Sequence, residues 1–213
     1  MWKFLRTLAW LVGIAAVLIA ALRLTVIRWW QVPVGDPFLE ASVSPSLRGG
    51  DWILLWRGSA PHAGDLVLCP EPKAPNRLTI GRIIGEKGDH VKLENGRLKI
   101  ENRGMEADNG CDRFQVRDPN DGQEYEQGCQ IETVAGKKHL RGEPMPSLAS
   151  KPRDADETVA AGQVFLVSDN RQFPWDSREF GTAELATCKE SVFFRLVSKD
   201  GFFDVANRLM LVR

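Results

Sequence analysis

The hydrophobic pattern of the chain consists of one long apolar run near the N-terminus and many short apolar runs after it. Residues 7–22 carry no charge, and Arg23 is the first interruption. The run is slightly shorter than the about 20 residues that span a bilayer, but a side chain at Arg23 can reach the interface from a helix end. Trp2 precedes the run, and Trp29 and Trp30 follow it, as in the aromatic belts of membrane helices. The pattern predicts one transmembrane helix.

A cleaved signal peptide is the alternative to an anchor, because it also begins with an apolar run. Arg23, Leu24 and Thr25 lie where a cleavage region with small residues is expected, and this favours an uncleaved anchor. Basic residues flank the run on both sides, so their distribution decides little about orientation. The short N-terminal tail and the large following domain favour a cytoplasmic N-terminus, with the body on the opposite side of the membrane.

Short apolar runs bounded by glycine, proline and aspartate follow the anchor and are typical of β-strands. The strongest local signal is at residues 91–100, where apolar and polar residues alternate on both sides of Asn95-Gly96 and predict a two-residue hairpin. Residues 202–212 are predicted to form a short amphipathic helix. The sequence therefore predicts a mostly β fold. Further strands are expected at residues 52–56, 64–69, 78–85, 163–167 and 191–197.

The segment 101–160 differs from the rest of the body. It is polar, rich in glycine, aspartate and proline, and poor in periodicity. We therefore expect an inserted, loop-rich β sub-domain there. The predicted organisation is a membrane anchor at residues 1–30, a main β domain formed by residues 31–100 and 161–213, and the insert between its two halves.

The composition excludes several classes of function. The 213 residues carry a formal net charge of zero, which gives no reason to expect nucleic-acid binding. Histidines are few and scattered, and no Cys-x-x-Cys pair is present, so we expect neither a metal site nor a cofactor. Cys111 and Cys129 lie in the polar insert and are predicted to form a disulfide. Cys69 and Cys188 lie on predicted strands, where free buried thiols are expected, although a bridge between them stays open.

A serine-rich stretch, residues 41–51, is the centre of the candidate chemistry. It reads Ala-Ser-Val-Ser-Pro-Ser-Leu-Arg-Gly-Gly-Asp and lies between the anchor and the first body strand. Pro45 fixes its own φ and disfavours a helical conformation at the preceding residue. Ser42 is therefore expected on a stiff loop near the membrane. A serine-rich loop alone is equally typical of a solvated turn.

This stretch resembles the nucleophile box of the type I signal peptidases, in which serine, a hydrophobic residue, any residue, proline, serine or threonine, and leucine precede Gly-Asp. Three later stretches resemble the family's other boxes in the same order. They are residues 64–68 (Gly-Asp-Leu-Val-Leu), residues 82–89 (Arg-Ile-Ile-Gly-x-x-Gly-Asp), and residues 168–181, which contain Ser-Asp-Asn-Arg, Asp-Ser-Arg and a final glycine. In the last box Asp169 belongs to the motif, and Asp176 and Arg178 match a structural ion pair of the family.

The resemblance covers about residues 1–197. It implies a mostly β, single-pass protein of the cytoplasmic membrane with its body on the periplasmic or extracellular side. It also implies a serine endopeptidase of the S26 type whose partners are the signal peptides of exported preproteins and the lipid bilayer. Ser42 matches the family's nucleophile.

Three positions depart from the family pattern. The family's general base is a lysine directly before the arginine of the third box, and here that position is Gly81. A small hydroxyl residue two before the nucleophile assists the oxyanion in the family, and here Glu40 would place negative charge there. The family serine that orients the lysine is replaced by Pro174. Base, orienting partner and oxyanion donor are therefore missing together.

Two functions stay open at this point, and with them whether the chain is an enzyme. The first is a signal peptidase I-type endopeptidase with Ser42 as nucleophile and an unidentified base, for which Glu40 and the three histidines are the groups to consider. The second is a catalytically inactive homologue that binds signal peptides or a partner protein. Lys73 and Lys87 lie on flanking loops and are expected to be ordinary solvated lysines. We expect Ser42 in a shallow apolar cleft, beside a gap left by the missing lysine.

Overall fold

The structure is a computed structural model that describes residues 2–101, 103–108 and 110–212, apart from the side chains of Arg23 and Leu24. The predicted interfacial position of the Arg23 side chain therefore lies outside the described residues. Helix α1 (Trp2–Thr25) contains a stretch, Trp2–Leu22, that is long and apolar enough to cross a membrane. Its large apolar side chains are exposed.

The helix passes almost directly into the body of the protein. The amide of Val26 donates to the carbonyl of Leu22 at 2.9 Å, as in a last helical turn, and the amide of Arg57 donates to the carbonyl of Val26 at 2.8 Å. The first strand begins at the next residue, Ile27. The residue after α1 is thus hydrogen-bonded both to the helix and to Arg57 in the body.

The described part of the body contains the short helices α2 (Pro37–Ser42) and α3 (Ser177–Phe180). The strands in the described residues are, in chain order, β1 (Ile27–Gln31), β2 (Trp52–Trp56), β3 (Leu66–Glu71), β4 (Ala74–Gly85), β5 (His90–Glu94), β6 (Arg97–Ile100), β7 (Arg103–Gly104), β8 (Ala107–Asp108), β9 (Phe114–Arg117), β10 (Glu124–Gln127), β11 (Cys129–Val134), β12 (Lys137–Gly142), β13 (Ala155–Thr158), β14 (Gln163–Val167), β15 (Ala183–Glu184), β16 (Glu190–Val197) and β17 (Met210–Leu211). The prediction of a mostly β fold is confirmed.

The main sheet is antiparallel and has the order β1-β2-β16-β3-β4-β14-β15, with β17 paired to β16. Its central strands come from both ends of the body, since β16 lies between β2 and β3. Strands β2, β3, β4, β14 and β16 coincide with predicted ones. The predicted hairpin is also present as β5 and β6, with Asn95 and Gly96 at φ 49° and 73°, as a primed turn requires.

The segment 101–160 forms more strands than its sequence suggested. Strands β7 and β13 extend the β5–β6 hairpin to a four-stranded sheet with the order β13-β5-β6-β7. A second sheet has the order β12-β11-β8, and β9 and β10 form a separate hairpin. The insert is therefore built largely of short antiparallel strands.

Buried apolar clusters hold these layers together. One lies between the 39–47 segment and the main sheet, where Leu39, Val43 and Leu47 pack with Ile53 and Ile80. A second includes residues of β3, β4 and β14. A third joins β5 and β6 to β14. The serine-rich stretch is thus fixed against the main sheet by burial of its apolar residues.

The predicted C-terminal helix at residues 202–212 is wrong. That segment consists of turns, after which β17 pairs with β16 at Arg195↔Met210. The carboxylate of Asp204 accepts hydrogen bonds from Ser198 Oγ at 2.7 Å and from Asn207 Nδ2 at 3.1 Å. Such local side-chain bonds compete with a helix, and an isolated helix of this length is marginal.

Both cysteine pairs form disulfides. Cys111–Cys129 was predicted and is confirmed, and it closes a loop with a sequence separation of 18. The expectation of free thiols at Cys69 and Cys188 is wrong, because these residues are bonded to each other with their Cα atoms 4.5 Å apart. Pairing of β3 with β16, at Leu68↔Glu190, brings their neighbours together. The sequence contains no local signal for that pairing.

Candidate active site

Ser42 is the last residue of α2 and does not lie on an extended loop. The helix begins because the Asp36 carboxylate accepts from the amide of Leu39 at 3.1 Å and Pro37 occupies the first helical position. After Ser42 the chain turns, and the Ser44–Pro45 peptide is cis. Burial of the apolar residues on either side of the serine holds this helix and turn in place.

The hydroxyl of Ser42 is buried within its own segment. The residue has 0% exposure, and its Oγ donates to the carbonyl of Leu39 at 2.9 Å. Its own carbonyl accepts from the amide of Asn170 at 3.0 Å, which ties the first box to the last. The predicted shallow cleft is thus not what surrounds this serine. The sequence motif could single out Ser42 as a candidate nucleophile, but it contains no signal that the residue is buried.

The carboxylate of Glu40 is hydrogen-bonded to the chain before α2 and not to Ser42. Its Oε1 accepts from the amide of Gly35 at 2.6 Å, and the side chain lies against Gly49. Residues two apart in a helix point about 200° apart and do not face each other. Because α2 is helical, Glu40 and Ser42 are not placed on a common face, as an extended strand would have placed them.

Gly81 lies within β4, paired with Val67 on β3. A Cβ built at this glycine would meet the Leu166 Cβ at 3.0 Å and the Val167 amide nitrogen at 3.7 Å. Leu166 is fully buried, so the space beside position 81 is filled by a neighbouring strand. The expected gap is therefore absent at the Cβ position.

The residue after Gly81 connects the boxes through a buried ion pair. Arg82 donates from Nε and Nη2 to the two carboxylate oxygens of Asp169, at 2.9 and 2.8 Å. Ser46 Oγ donates to Asp169 Oδ2 at 2.5 Å. Burial raises the pKa of the Asp169 carboxyl, but the charge and hydrogen bonds of Arg82, with that of Ser46, outweigh it and hold the pKa below its ordinary value. A carboxylate held in this way is a structural anchor and a poor proton acceptor.

Asp176 and Arg178 form a second buried ion pair at the start of α3. Arg178 donates from Nε and Nη2 to Asp176 at 2.9 and 2.7 Å, and the amide of Ser168 donates to the same carboxylate at 2.6 Å. Burial raises the pKa of the Asp176 carboxyl, but the charge and hydrogen bonds of Arg178 outweigh it and lower the pKa. Pro174 lies just before the pair and is half-buried.

A third charged cluster was missed by the sequence analysis. Glu132 on β11 is buried and pairs with Arg171 from the last box and with Arg141 on β12, whose Nη1 lies 3.1 Å from Glu132 Oε1. Burial raises the pKa of Glu132, but Arg171, His139 and Arg141 outweigh it and bring the pKa to about 2. The signal that could have revealed the β11–β12 hairpin was Ala135-Gly136 between alternating residues.

The three histidines have different surroundings. His62 is exposed beside Glu86, with a distance of 3.8 Å between Nδ1 and Oε1, and His90 contacts Asp156 at 2.6 Å. His139 is buried with its Nε2 3.2 Å from Glu132 Oε2, but without the alignment of a hydrogen bond. Burial, with the charge of Arg82, lowers the pKa of His139. The hydrogen-bond partners of Ser42 among the described residues, Leu39 and Asn170, include none of them.

The two lysines nearest to position 81 in the sequence, Lys73 and Lys87, do not have the burial that lowers the pKa of a catalytic lysine. Both are exposed on loops. In the described ranges, no group of three histidine, cysteine, aspartate or glutamate side chains could hold a metal ion. The arrangement therefore ties a buried serine to the last box through the Asn170 amide, and it gives the serine hydroxyl the carbonyl of Leu39 as its hydrogen-bond acceptor.

Comparison with known proteins agrees with the family resemblance. The family model described as "Signal peptidase, peptidase S26" matches residues 5–197. The chain is also similar to "Signal peptidase I U" of Bacillus subtilis (strain 168), with 27% identity over 180 residues, which cover 81% of this chain and 79% of that protein. The family match includes most of the N-terminal helix, the serine-rich stretch and most of the body.

Proposed function

The chain belongs to the signal peptidase family, peptidase S26, and from this premise we propose that it is a membrane-anchored protein that binds signal peptides of exported preproteins without cleaving them by serine–lysine chemistry. One observation carries the proposal. The Ser42 hydroxyl is buried and donates to the carbonyl of Leu39, while the position of the family's lysine has no side chain.

Cleavage needs a group that takes the serine proton. A general base must come within about 3 Å of the hydroxyl and must be unprotonated at the working pH. A main-chain carbonyl accepts a hydrogen bond but does not accept the proton. Glu40, the carboxylate closest in sequence to Ser42, is hydrogen-bonded to Gly35 instead. Ser42 is therefore expected to behave as an ordinary alcohol.

The proposed location follows from the anchor and the family. Helix α1 is long and apolar enough to cross a membrane. We place the protein in the cytoplasmic membrane as a single-pass protein, with the body on the periplasmic or extracellular side, where signal peptides of exported proteins are handled. The segment 101–160 is proposed as a sub-domain inserted into the main β domain.

A second function remains to be tested, namely an endopeptidase with Ser42 as nucleophile and a base outside position 81. The observation in its favour is that the supports of the last box are intact, because the Arg82–Asp169 and Asp176–Arg178 pairs are both buried and bidentate.

Cleavage of a purified preprotein by the full-length chain in detergent micelles separates the two functions. We expect no product above that of the Ser42→Ala variant, with signal-peptide binding equal in both. Ser44→Ala is the matched control, because this second serine of the same box also donates to a main-chain carbonyl, that of Glu40 at 3.1 Å. Enzyme-like cleavage that Ser42→Ala abolishes and Ser44→Ala retains would overturn the binding proposal.

A triple variant that rebuilds the family's residues gives an independent test. Gly81→Lys alone should not produce cleavage, because Pro174 cannot orient the new amine and Glu40 does not supply the family's hydroxyl for the oxyanion. Combining it with Pro174→Ser and Glu40→Ser restores the three family positions. Activity in the triple variant but not in the single one would support the view that these positions account for the lost reaction. Equal activity in both would contradict it.

A further inference from the structure

A groove of about 1140 Å³ lies between the β5–β6–β7 strands and the β11–β12 hairpin. Apolar side chains contribute to its walls, among them Leu98, Met105 and Met145, together with prolines of the 144–152 loop. Its lining includes neither Ser42 nor Gly81. The groove is thus formed largely by the insert, and its existence is independent of the function proposed above.

The floor of the groove carries unbalanced positive charge. Arg141 lines it with a side chain that is only 8% exposed. Its Nη1 donates to Glu132 and its Nη2 to Gln130, while its Nε is shielded from solvent and has no hydrogen-bond partner in the described part of the chain. Glu132 is also the partner of the fully buried Arg171. One carboxylate therefore serves two guanidinium groups, and a buried charge without full compensation favours an anion nearby.

The rim adds cations that have no ion-pair partner. Arg97 and Lys151 line the groove and are exposed, and neither forms an ion pair with any of the described residues. Lys99, by contrast, is paired with Glu94 at 3.0 Å. Glu143 is the one acidic side chain of the lining that lacks an ion pair within the described ranges. Among the charged side chains of the lining that have no ion pair with the described residues, two are therefore positive and one is negative.

Two sheet edges meet at the same place. Strand β7 is the outermost strand of the four-stranded sheet, and β8 is the outermost strand of the three-stranded one. Gly104 from β7 and Ala107 from β8 both line the groove. An outermost strand has main-chain donors and acceptors on one side that can pair with an added extended segment.

We propose that this groove binds an extended peptide segment that carries a carboxylate side chain. The carboxylate meets Arg141 at the floor and Arg97 at the rim, the apolar walls receive the neighbouring side chains, and β7 or β8 pairs with the peptide main chain. A small inorganic anion would use the charge but not the apolar walls or the sheet edges. The combination is what selects a peptide.

The test uses the full-length protein in detergent micelles and a fluorescently labelled peptide of alternating valine and aspartate, followed by anisotropy. The same peptide with asparagine in place of aspartate measures the contribution of charge. We expect Arg141→Gln to weaken binding about tenfold or more, as the loss of a charge-assisted hydrogen bond predicts. Arg97→Glu and Lys151→Glu should weaken it severalfold, and added salt should reduce affinity for the aspartate peptide.

Exposed positions keep the test decisive if Arg141→Gln does not fold, since Arg97 and Lys151 are solvent-facing and their variants should fold. Lys87→Glu is the matched control, because it makes the same charge change at an exposed residue outside the groove. Equal binding of the aspartate and asparagine peptides would overturn the proposal. So would absence of binding, an equal loss in Lys87→Glu, or displacement of the peptide by acetate or inorganic phosphate at concentrations equal to its own.

Discussion

Replacing Glu132 by glutamine should destabilise the protein more than replacing any exposed acidic residue. The side chain is 1% exposed and is the shared partner of Arg171 and Arg141. Glutamine keeps the shape and can accept a hydrogen bond, but it removes the negative charge between two guanidinium groups. Removing one partner of a buried ion pair typically costs about 3–5 kcal/mol, because the other partner stays buried and uncompensated.

The pKa of Glu132 gives a separate measure of the same effect. A carboxyl whose pKa falls from its ordinary 4.5 to about 2 on folding contributes on the order of 3 kcal/mol at neutral pH. Its folded pKa is depressed, so this stability is present above the unfolded pKa of 4.5 and is lost as the pH falls to about 2. Glu132→Gln should lack this component of the acid sensitivity.

Thermal unfolding followed by circular dichroism in detergent micelles measures both effects. A loss of about 3 kcal/mol corresponds to a Tm lower by about 10 °C for a chain of this size. Glu157→Gln is the control, because it makes the same chemical change at an exposed acidic residue on β13. The reasoning would be refuted by a Glu132→Gln Tm equal to that of the control, or by an unchanged dependence of stability on pH between 4.5 and 2.

Three further outcomes are expected. Gly81→Lys should lower the free energy of unfolding by about 1–3 kcal/mol through overpacking against Leu166, with Gly81→Ala intermediate, and denaturant unfolding that matches the wild type would contradict this. Replacing Cys111 and Cys129 together by serine should cost roughly 3 kcal/mol in the chain-entropy model, and an unchanged denaturation midpoint would argue against it. Membranes washed with carbonate should retain the full-length chain, and a mature N-terminus beyond Leu22, read by mass spectrometry, would exclude the anchor.

Local patterns predicted the parts of the fold that local forces determine. The β5–β6 hairpin needs only alternating residues and a turn that accepts positive φ at Asn95 and Gly96. Helix α2 was missed because a helix of six residues is not stable by propensity alone. It forms because Asp36 caps it and because Leu39 is buried against the main sheet. Those supports come from tertiary packing, which no window of sequence contains.

The site shows the same division. The boxes predicted the ion pair between Asp176 and Arg178, which the structure contains. They also singled out Ser42 as the candidate nucleophile, which stays a prediction. They did not predict that Ser42 is buried or that Leu166 fills the space beside Gly81, because these contacts join segments distant in sequence. Glu132 and Arg171 are 39 residues apart, and their ion pair depends on strands in the segment 101–160. That segment is polar and has little periodicity, so its sequence pattern did not predict those strands.

The join between α1 and β1 has a consequence for how the protein meets other molecules. The helix ends at Thr25 and the strand begins at Ile27, with Val26 hydrogen-bonded to both sides. With α1 in a bilayer, so short a tether fixes the height of the sheet above the lipid and prevents it from swinging outward. Encounters then take place in a thin layer at the surface, by lateral diffusion. A partner that is itself membrane-inserted meets this layer far more often than one that stays in bulk solvent.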